Sequence, residues 1–341
     1  MEERGRMTSC LIVLSVKVLW AFGLAVLIGL ALHWWSGDHL SPGRYTGYLM
    51  PWVLVILLPG GVCALLLRHW SLAVVLGVSL VFILYTYAPL LLPRPNIVHA
   101  SPAALNVMSF NVWSKNSSPE RIAAAVVEHE PDILLLQEII PPQFEDLSRA
   151  LEDLSRSSGE PWDKVYNPNL LQATVSRYPL TNQWSKRNKA KVQVVSAETP
   201  WGPVMVFNVH PTWGNWARRD KQLSDLLRED ILPCERPVIL AGDFNSPEQS
   251  EIFKLLAGHL RNAHNEAGQG FGFTFPKALS VQNRLFPFVP VVRIDHIFFS
   301  PHFIALQAAT TKDSYGSDHL PITARLAFNP DRAKKTVSPD E

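Results

Sequence analysis

The chain has 341 residues, 47% of them hydrophobic and 18% charged, with a formal net charge of +1. Those averages hide a division: between Leu11 and Leu92 the only charged residues are Lys17, Asp38, Arg44 and Arg68, while most remaining charges follow residue 100. This excludes a purely soluble protein, a disordered one and a strongly basic nucleic-acid binder. The three cysteines, Cys10, Cys63 and Cys234, are scattered and give neither a disulfide framework nor a zinc spacing.

Three apolar runs come first: Leu11–Leu32, Leu49–Leu67 and Ser71–Leu92. Each approaches or exceeds the roughly 20 residues that a helix needs to cross a bilayer. Trp34, Trp35, Trp52, Trp70, Tyr85 and Tyr87 lie near their ends, at the level where aromatic rings favour the headgroups. A cleaved signal peptide is rejected, because the first run is too long and two more follow. Arg4, Arg6 and Arg68 fall on one side of these spans, with Arg44 and Arg94 on the other. The positive-inside rule then puts the N-terminus in the cytosol and the C-terminal part outside it, with the plasma (inner) membrane the expected location. Residues 1–100 read as a membrane anchor, 101–330 as one catalytic domain and 331–341 as a polar tail expected to be disordered. The Pro-rich stretch Leu92–Asn96 is a stiff exit from the membrane.

In the soluble part, strands are expected at Ala104–Asn111, Asp132–Glu138, Leu171–Ser176, Lys191–Ala197, Val204–His210, Pro237–Ala241, Arg293–Ser300, Phe303–Thr310 and Pro321–Phe328. Helices are expected at Pro119–His129, Gln143–Arg156, Asn215–Glu229 and Glu248–Leu256. The interleaving predicts a mixed, layered α/β (α+β) domain.

The chemistry sits at strand ends. Apolar strands run into Asn111, Glu138, His210 and Gly242-Asp243-Phe244-Asn245; later come Arg293-Ile294-Asp295-His296 and Gly316-Ser317-Asp318-His319. If those ends converge, they form one acidic pocket with two imidazoles, suited to a hard divalent cation with oxygen ligands. Ser317-Asp318-His319 is not read as a hydrolase triad, since its members are neighbours in sequence and no Gly-x-Ser-x-Gly elbow is present.

Taken in order, seven segments resemble the endonuclease/exonuclease/phosphatase (DNase I-like) superfamily, and bacterial membrane-anchored members in particular. They are Met108–Trp113, Pro131–Glu138, Ser176–Leu180, Asn208–Pro211, Gly242–Asn245, Arg293–His296 and Gly316–Pro321. The resemblance implies a four-layer α/β/β/α sandwich, here preceded by three transmembrane helices, and an enzyme that hydrolyses phosphodiester bonds with Mg²⁺, with Mn²⁺ as the alternative ion. It implies Glu138 as the main metal ligand, Asn111 beside it, and Asp318 on the same ion or a second one. Asp243 is expected to orient and deprotonate the attacking water, and Asn245 to hold that water or a phosphate oxygen. His210 and His319 are expected on the scissile phosphate, with Asp295 fixing His319.

The substrate stays open. An endonuclease-like activity fits the motif set, and two segments mix aromatic and basic residues, Trp216–Lys221 and Trp184–Lys191. A phosphodiesterase on phospholipid headgroups, or an inositol-phosphate phosphatase, fits the anchor and the aromatic segments Phe271–Phe275 and Phe286–Pro290. A non-catalytic membrane scaffold is disfavoured, because no expected catalytic position is replaced. The expected partners are the phosphodiester substrate and the lipid bilayer, with no obligate protein partner.

Overall fold

A computed structural model of the chain describes residues 2–91, 104–116, 119–159, 161–183, 191–281 and 284–329. The expected membrane exit, most of the Trp184–Lys191 segment and the polar tail lie outside the described residues. The chain falls into two compact units, one helical and one built on sheets.

The helical unit holds α1 (Glu2–Ser36), α2 (Ser41–Leu66) and α3 (Trp70–Leu91). All three are long and apolar enough to cross a membrane. Large apolar side chains such as Leu14, Val18, Ile28, Val55, Val78 and Val81 point outward, as lipid-facing positions do. Lys17 lies on that exposed surface, so it does not reach into the bundle. α1 and α2 approach closely at Gly43, where a Cβ would lie 2.8 Å from the His33 backbone nitrogen. Small residues at such crossings let helix backbones pack without help from a hydrophobic effect.

The second unit comprises, in chain order, β1 (Ala104–Asn111), α4 (Pro119–His129), β2 (Ile133–Gln137), α5 (Pro141–Ser158), β3 (Asp163–Asn167), β4 (Gln172–Ser176), β5 (Leu180–Gln183), β6 (Val192–Thr199) and β7 (Gly202–Val209). There follow α6 (Trp216–Leu226), whose end widens into a π-helical turn at Leu227–Ile231, then β8 (Val238–Asp243), α7 (Glu251–Ala257), β9 (Arg261–Asn262) and α8 (Ala263–Ala267). The last elements are β10 (Ala278–Val281), β11 (Arg284–Pro287), β12 (Asp295–Phe299), β13 (Phe303–Thr310) and β14 (Ile322–Phe328). One six-stranded sheet has the order β13-β14-β1-β2-β4-β3, the other β5-β6-β7-β8-β12-β9, and β10–β11 is a separate hairpin. Each large sheet has one parallel pair at its centre, β1 with β2 and β7 with β8, and its other pairs are antiparallel.

Burial separates three apolar layers. Leu105, Val107, Ile133 and Leu135 of the first sheet meet Val204, Val206, Ile239 and Ile297 of the second. The outer face of the first sheet takes Ile122, Ala125 and Val126 of α4 and Leu147 and Leu151 of α5. The spacings i, i+3, i+4 and i, i+4 put each set on one helix face. The outer face of the second sheet takes Leu223 and Leu226 of α6 and Ile252, Phe253 and Leu256 of α7. Helix, sheet, sheet, helix is the expected four-layer sandwich.

The expected strands and helices of the second unit are present with no end shifted by more than three residues, and Ala104–Asn111, Pro119–His129 and Phe303–Thr310 agree at both ends. β3, β5, β9, α8 and the β10–β11 hairpin are not among the expected elements. β3 and β5 are edge strands, and every residue of β3 is only half-buried. An edge strand lacks the apolar alternation that sequence reading depends on.

Gly242 is required where β7 and β8 pair. Its φ is +150°, and a Cβ there would lie 2.0 Å from the Val209 carbonyl oxygen, its register neighbour. Gly242→Ala is expected to destabilise the protein by roughly 3 kcal/mol, strain and overlap together, read as a lower thermal midpoint in mild detergent. An unchanged midpoint would mean that β7 and β8 do not pair in this register.

Candidate active site

The inward-facing rows of the strands change chemistry at one end of the sandwich. Period two along β1 gives Leu105, Val107, Ser109, Asn111; along β2 it gives Ile133, Leu135, Gln137. β7 gives Val204, Val206, Asn208, and β8 gives Ile239, Ala241, Asp243. In each, the polar residue comes at the C-terminal end. β12 is antiparallel to β8 with Asp295 opposite Asp243, and β14 is antiparallel to β1 with Ile322 opposite Ser109. So the starts of β12 and β14, the latter just after His319, arrive at the same end. The topology therefore brings the predicted strand ends together.

Buried amides must be paired. Asn208 donates through Nδ2 to the carbonyl oxygens of Leu136 and Ala173, both 3.0 Å, and its Oδ1 accepts from Gln137 Nε2 at 2.8 Å. Gln172 Nε2 donates to the Asn208 carbonyl at 3.1 Å, and Thr174 Oγ1 to Gln193 Oε1 at 2.7 Å. These bonds run from sheet to sheet and lie directly beneath the site.

Above them sit the predicted residues. Asn111 Nδ2 donates to Asp243 Oδ2 at 3.1 Å and to Glu138 Oε1 at 3.3 Å. Its Oδ1 accepts from the Trp113 backbone N–H at 3.0 Å, so the amide bridges two carboxylates through its donor side. His319 Nδ1 lies 2.9 Å from Asp295 Oδ2, and its Nε2 lies 3.8 Å from Asp243 Oδ2. His210 Nε2 is 3.7 Å from both Glu138 Oε1 and Asp243 Oδ2. Asn245 donates its backbone N–H to Asp243 Oδ1 at 2.8 Å and its side-chain Nδ2 to the Pro211 carbonyl at 3.2 Å. Asp243, Asp295 and His319 are buried, whereas Glu138 and His210 are part-exposed and form the mouth.

Electrostatics follows burial. Burial pushes the Asp243 carboxyl above the usual carboxylate range, and Asp295 adds to this against the pull of His319 and His210. Burial opposes charge on His319, but the Asp295 and Asp243 carboxylates outweigh it and hold the imidazole at about 10. With Nδ1–H committed to Asp295, the Nε2–H is the atom presented to the pocket. Burial, with the Glu138 charge adding to it, raises Asp318 to about 6.

Two site residues stand in sparsely populated backbone. Glu138 has φ +55° and Asn245 φ +51°. Asn tolerates this region, but Glu has no such preference, and strain of this kind costs of order 1–3 kcal/mol. The turn lifts Glu138 off the end of β2, where Ser114 donates to Oε2 through N–H and Oγ, each at 3.4 Å.

The donor set fits a hard divalent cation. Asp318 Oδ1 is buried with no hydrogen-bond partner among the described residues, and its carboxyl faces the Glu138 charge. Asp243, Asp295 and His319 also bring ligand atoms within 4.8 Å of one another. A cation among those three would have to displace the Asp295–His319 hydrogen bond, so the oxygen-rich side at Glu138 and Asp318 is the better match. Asn111 would offer an oxygen there only after a turn of its amide, or through water.

Several supporting residues were not picked out from sequence. Ser317 Oγ donates to the Asn111 carbonyl at 2.6 Å and accepts from the His319 N–H at 3.0 Å, tying β1 to the His319 loop. Phe275 packs on the His319 ring, centroids 4.7 Å apart. Arg219, read as part of a basic surface segment, is instead buried, paired with Asp220 and donating to the Asn245 carbonyl at 2.6 Å. The phase of α6 contains the signal: Arg219, Gln222, Leu223 and Leu226 are i, i+3, i+4, i+7. His296 faces the other side of β12, among Phe244, Phe253 and Phe298. Burial, with Arg293 nearby, keeps it well below the usual imidazole range, a neutral core residue.

The model of the Endonuclease/Exonuclease/phosphatase family matches residues 108–319. No curated protein sequence matches the chain. Among solved structures, a functionally unknown conserved protein from Enterococcus faecalis V583 is similar at TM-score 0.52 and 19% identity, over 66% of this chain and 100% of that one. An endonuclease/exonuclease/phosphatase from Bacteroides vulgatus gives TM-score 0.52 and 18% identity, over 66% and 99%. A family protein from Bacteroides thetaiotaomicron gives 0.52 and 19%, over 67% and 99%. These likenesses establish the fold. The family match spans every strand end that carries a predicted site residue, and the chain belongs to the endonuclease/exonuclease/phosphatase family.

Proposed function

We propose that the chain is a divalent-cation-dependent phosphodiester hydrolase, with residues 1–100 as its membrane anchor and 101–330 as its catalytic domain. The observation that carries this reading is the Asp295–His319 pair set against a buried Asp243, beneath a mouth formed by Glu138 and His210. Asp243 has the raised basicity of a general base and is oriented by the Asn245 N–H. His319, held protonated, and His210 offer N–H groups to the non-bridging oxygens as negative charge grows on them. Asn245 positions the attacking water or a phosphate oxygen. Glu138 and Asp318, with Asn111 turned or acting through water, would hold Mg²⁺ or Mn²⁺. When bound, that cation supplies Lewis-acid charge to the phosphoryl group. The arginine distribution around the three apolar helices supports the reading that the catalytic domain lies on the non-cytosolic side of the plasma (inner) membrane.

The substrate we propose first is nucleic acid, cut endonucleolytically. A specific observation favours the second reading, a phospholipid or inositol-phosphate headgroup. Arg219 is withdrawn from the basic segment, and Lys221 pairs with Asp225 at 3.0 Å. Trp213, three residues after His210, is 79% exposed, and Phe288 and Val289 are exposed beside a hairpin whose base touches the Asp318 backbone through Lys277. Full-length protein in mild detergent, assayed for supercoiled plasmid nicking with Mg²⁺ and with chelator, separates the two. Nicking that needs the cation supports the nuclease. Its absence, with phosphate or headgroup release from phospholipid vesicles or inositol phosphates, supports the lipid reading. Inactivity on all of them overturns the proposal.

Asp243→Asn and His319→Ala are each expected to lower turnover by about 10²–10³ or more, the usual effect of losing a group that acts in the transition state. Either variant at wild-type rate would remove that residue from the mechanism.

Cation binding is expected to be proton-linked. Asp318 must be ionised to hold the metal, and its folded-state pKa of about 6 stands above the ordinary 3.8. Mg²⁺ should therefore raise the thermal midpoint at pH 7–8, where the cation relieves the crowded carboxylates, and the gain should shrink as pH falls through about 6. An equal gain at pH 5 and pH 8 would exclude Asp318 as a ligand.

A further inference from the structure

Arg293 lies two residues before Asp295 in the run entering β12, which in extended chain is the same side. It is 3% exposed. Its Nη2 pairs with Glu248 and donates to Asn265 Oδ1 at 3.0 Å. Its Nε and Nη1, and Nδ2 of Asn262, are buried with no hydrogen-bond partner among the described residues. Arg293, Asn262 and Asp295 together line a crevice of about 20 Å³ between the two sheets, with Ala308 and Thr323 opposite. That volume admits about one water molecule. A buried guanidinium whose donors are unspent is costly unless something accepts from it, and among the described residues Asp295 is the one anionic side chain lining this crevice.

We propose that Arg293 is a positioning residue for the reaction, acting across this crevice on Asp295. Through the one water that the crevice admits, its unspent Nε and Nη1 donors keep the Asp295 carboxylate turned toward His319 Nδ1. Glu248 and Asn265 hold the guanidinium from behind, so Glu248 shares the role at one remove. The inference rests on the phosphodiesterase reading above, and it adds a residue that touches neither substrate nor cation.

The test is a double-mutant cycle on kcat and KM in full-length protein, with bis(p-nitrophenyl) phosphate as substrate. Arg293→Met alone leaves Glu248 as a buried lone charge, so the change is made as Arg293→Met with Glu248→Gln, which removes both charges. In the wild-type background this pair is expected to lower kcat about tenfold, as loss of an outer partner of an active-site group does, with KM changed less than about twofold. In the Asp295→Asn background the same pair is expected to change kcat by less than about twofold, because the group it acts through is already gone. The thermal midpoint and circular dichroism spectrum of the Arg293→Met, Glu248→Gln protein, in both backgrounds, report whether the domain still folds. A full tenfold loss repeated in Asp295→Asn would mean that Arg293 acts on overall stability and would overturn the proposal. So would unchanged kcat in the first background. A wild-type protein with no activity on the diester strikes the phosphodiesterase reading itself, a failure distinct from either of these.

Discussion

The structure depends on the way a sandwich interior that is apolar at one end is made polar at the other. A two-sheet core normally closes with aliphatic side chains throughout, since an unpaired buried amide costs about 1–3 kcal/mol. Here Gln137, Gln172, Gln193 and Asn208 are all buried between the sheets. Asn208 makes this tolerable by reaching across to the carbonyls of Leu136 and Ala173 while accepting from Gln137. These bonds fix the lateral offset of the sheets, which apolar contact alone leaves free because it has no direction. Every distance in the site above them inherits that offset: Asn111 and Glu138 come from one sheet, Asp243 and Asp295 from the other.

The parallel pair at the centre of each sheet has a consequence for chemistry. A parallel pair places two C-terminal strand ends side by side, and a crossover helix returns the chain outside the sandwich. Two such pairs face each other, so four strands stop at one rim without a tight hairpin closing it. The chain leaves that rim through strained turns at Glu138 and Asn245. Those conformations persist because the flanking strands are fixed by pairing on both sides, which is the usual way strain is retained at a functional site.

Much of this was legible in the sequence because both signals are local. A strand buried on two faces reads as a short apolar run, and a strand that ends in Asn, Glu, His or Asp shows where the run stops. What sequence could not give is which polar residues face which. Asn208 and His210 are two apart and look alike as candidates, yet one clamps the sheets and the other stands at the mouth. Asp295 and His296 are adjacent and point to opposite faces of β12, one to His319 and the other into a phenylalanine cluster. Arg219 and Arg218 differ in the same way, and only the helix phase separates them. The edge strands β3 and β5 were silent for a different reason, since they have little buried surface to pattern.

The site's charge explains its construction. Four carboxylates, Glu138, Asp243, Asp295 and Asp318, converge on two imidazoles, so the ionised cluster keeps excess negative charge even with His319 protonated. The protein distributes that excess unevenly. Asp295 spends its charge on His319, raising the imidazole and leaving its Nε2–H for the pocket. Asp243 and Asp318 keep theirs, and burial drives both upward as a result. The Asn111 and Asn245 donors and the two imidazoles offset the Asp243 charge in part, while Asp318 Oδ1 has no hydrogen-bond partner among the described residues; under the proposed function a divalent cation at Glu138 and Asp318 would offset the rest. Under the proposed function, the same field would repel an anionic phosphodiester until a cation is in place. On that reading, substrate binding and catalysis would both be coupled to one ionic event at the mouth of the sandwich.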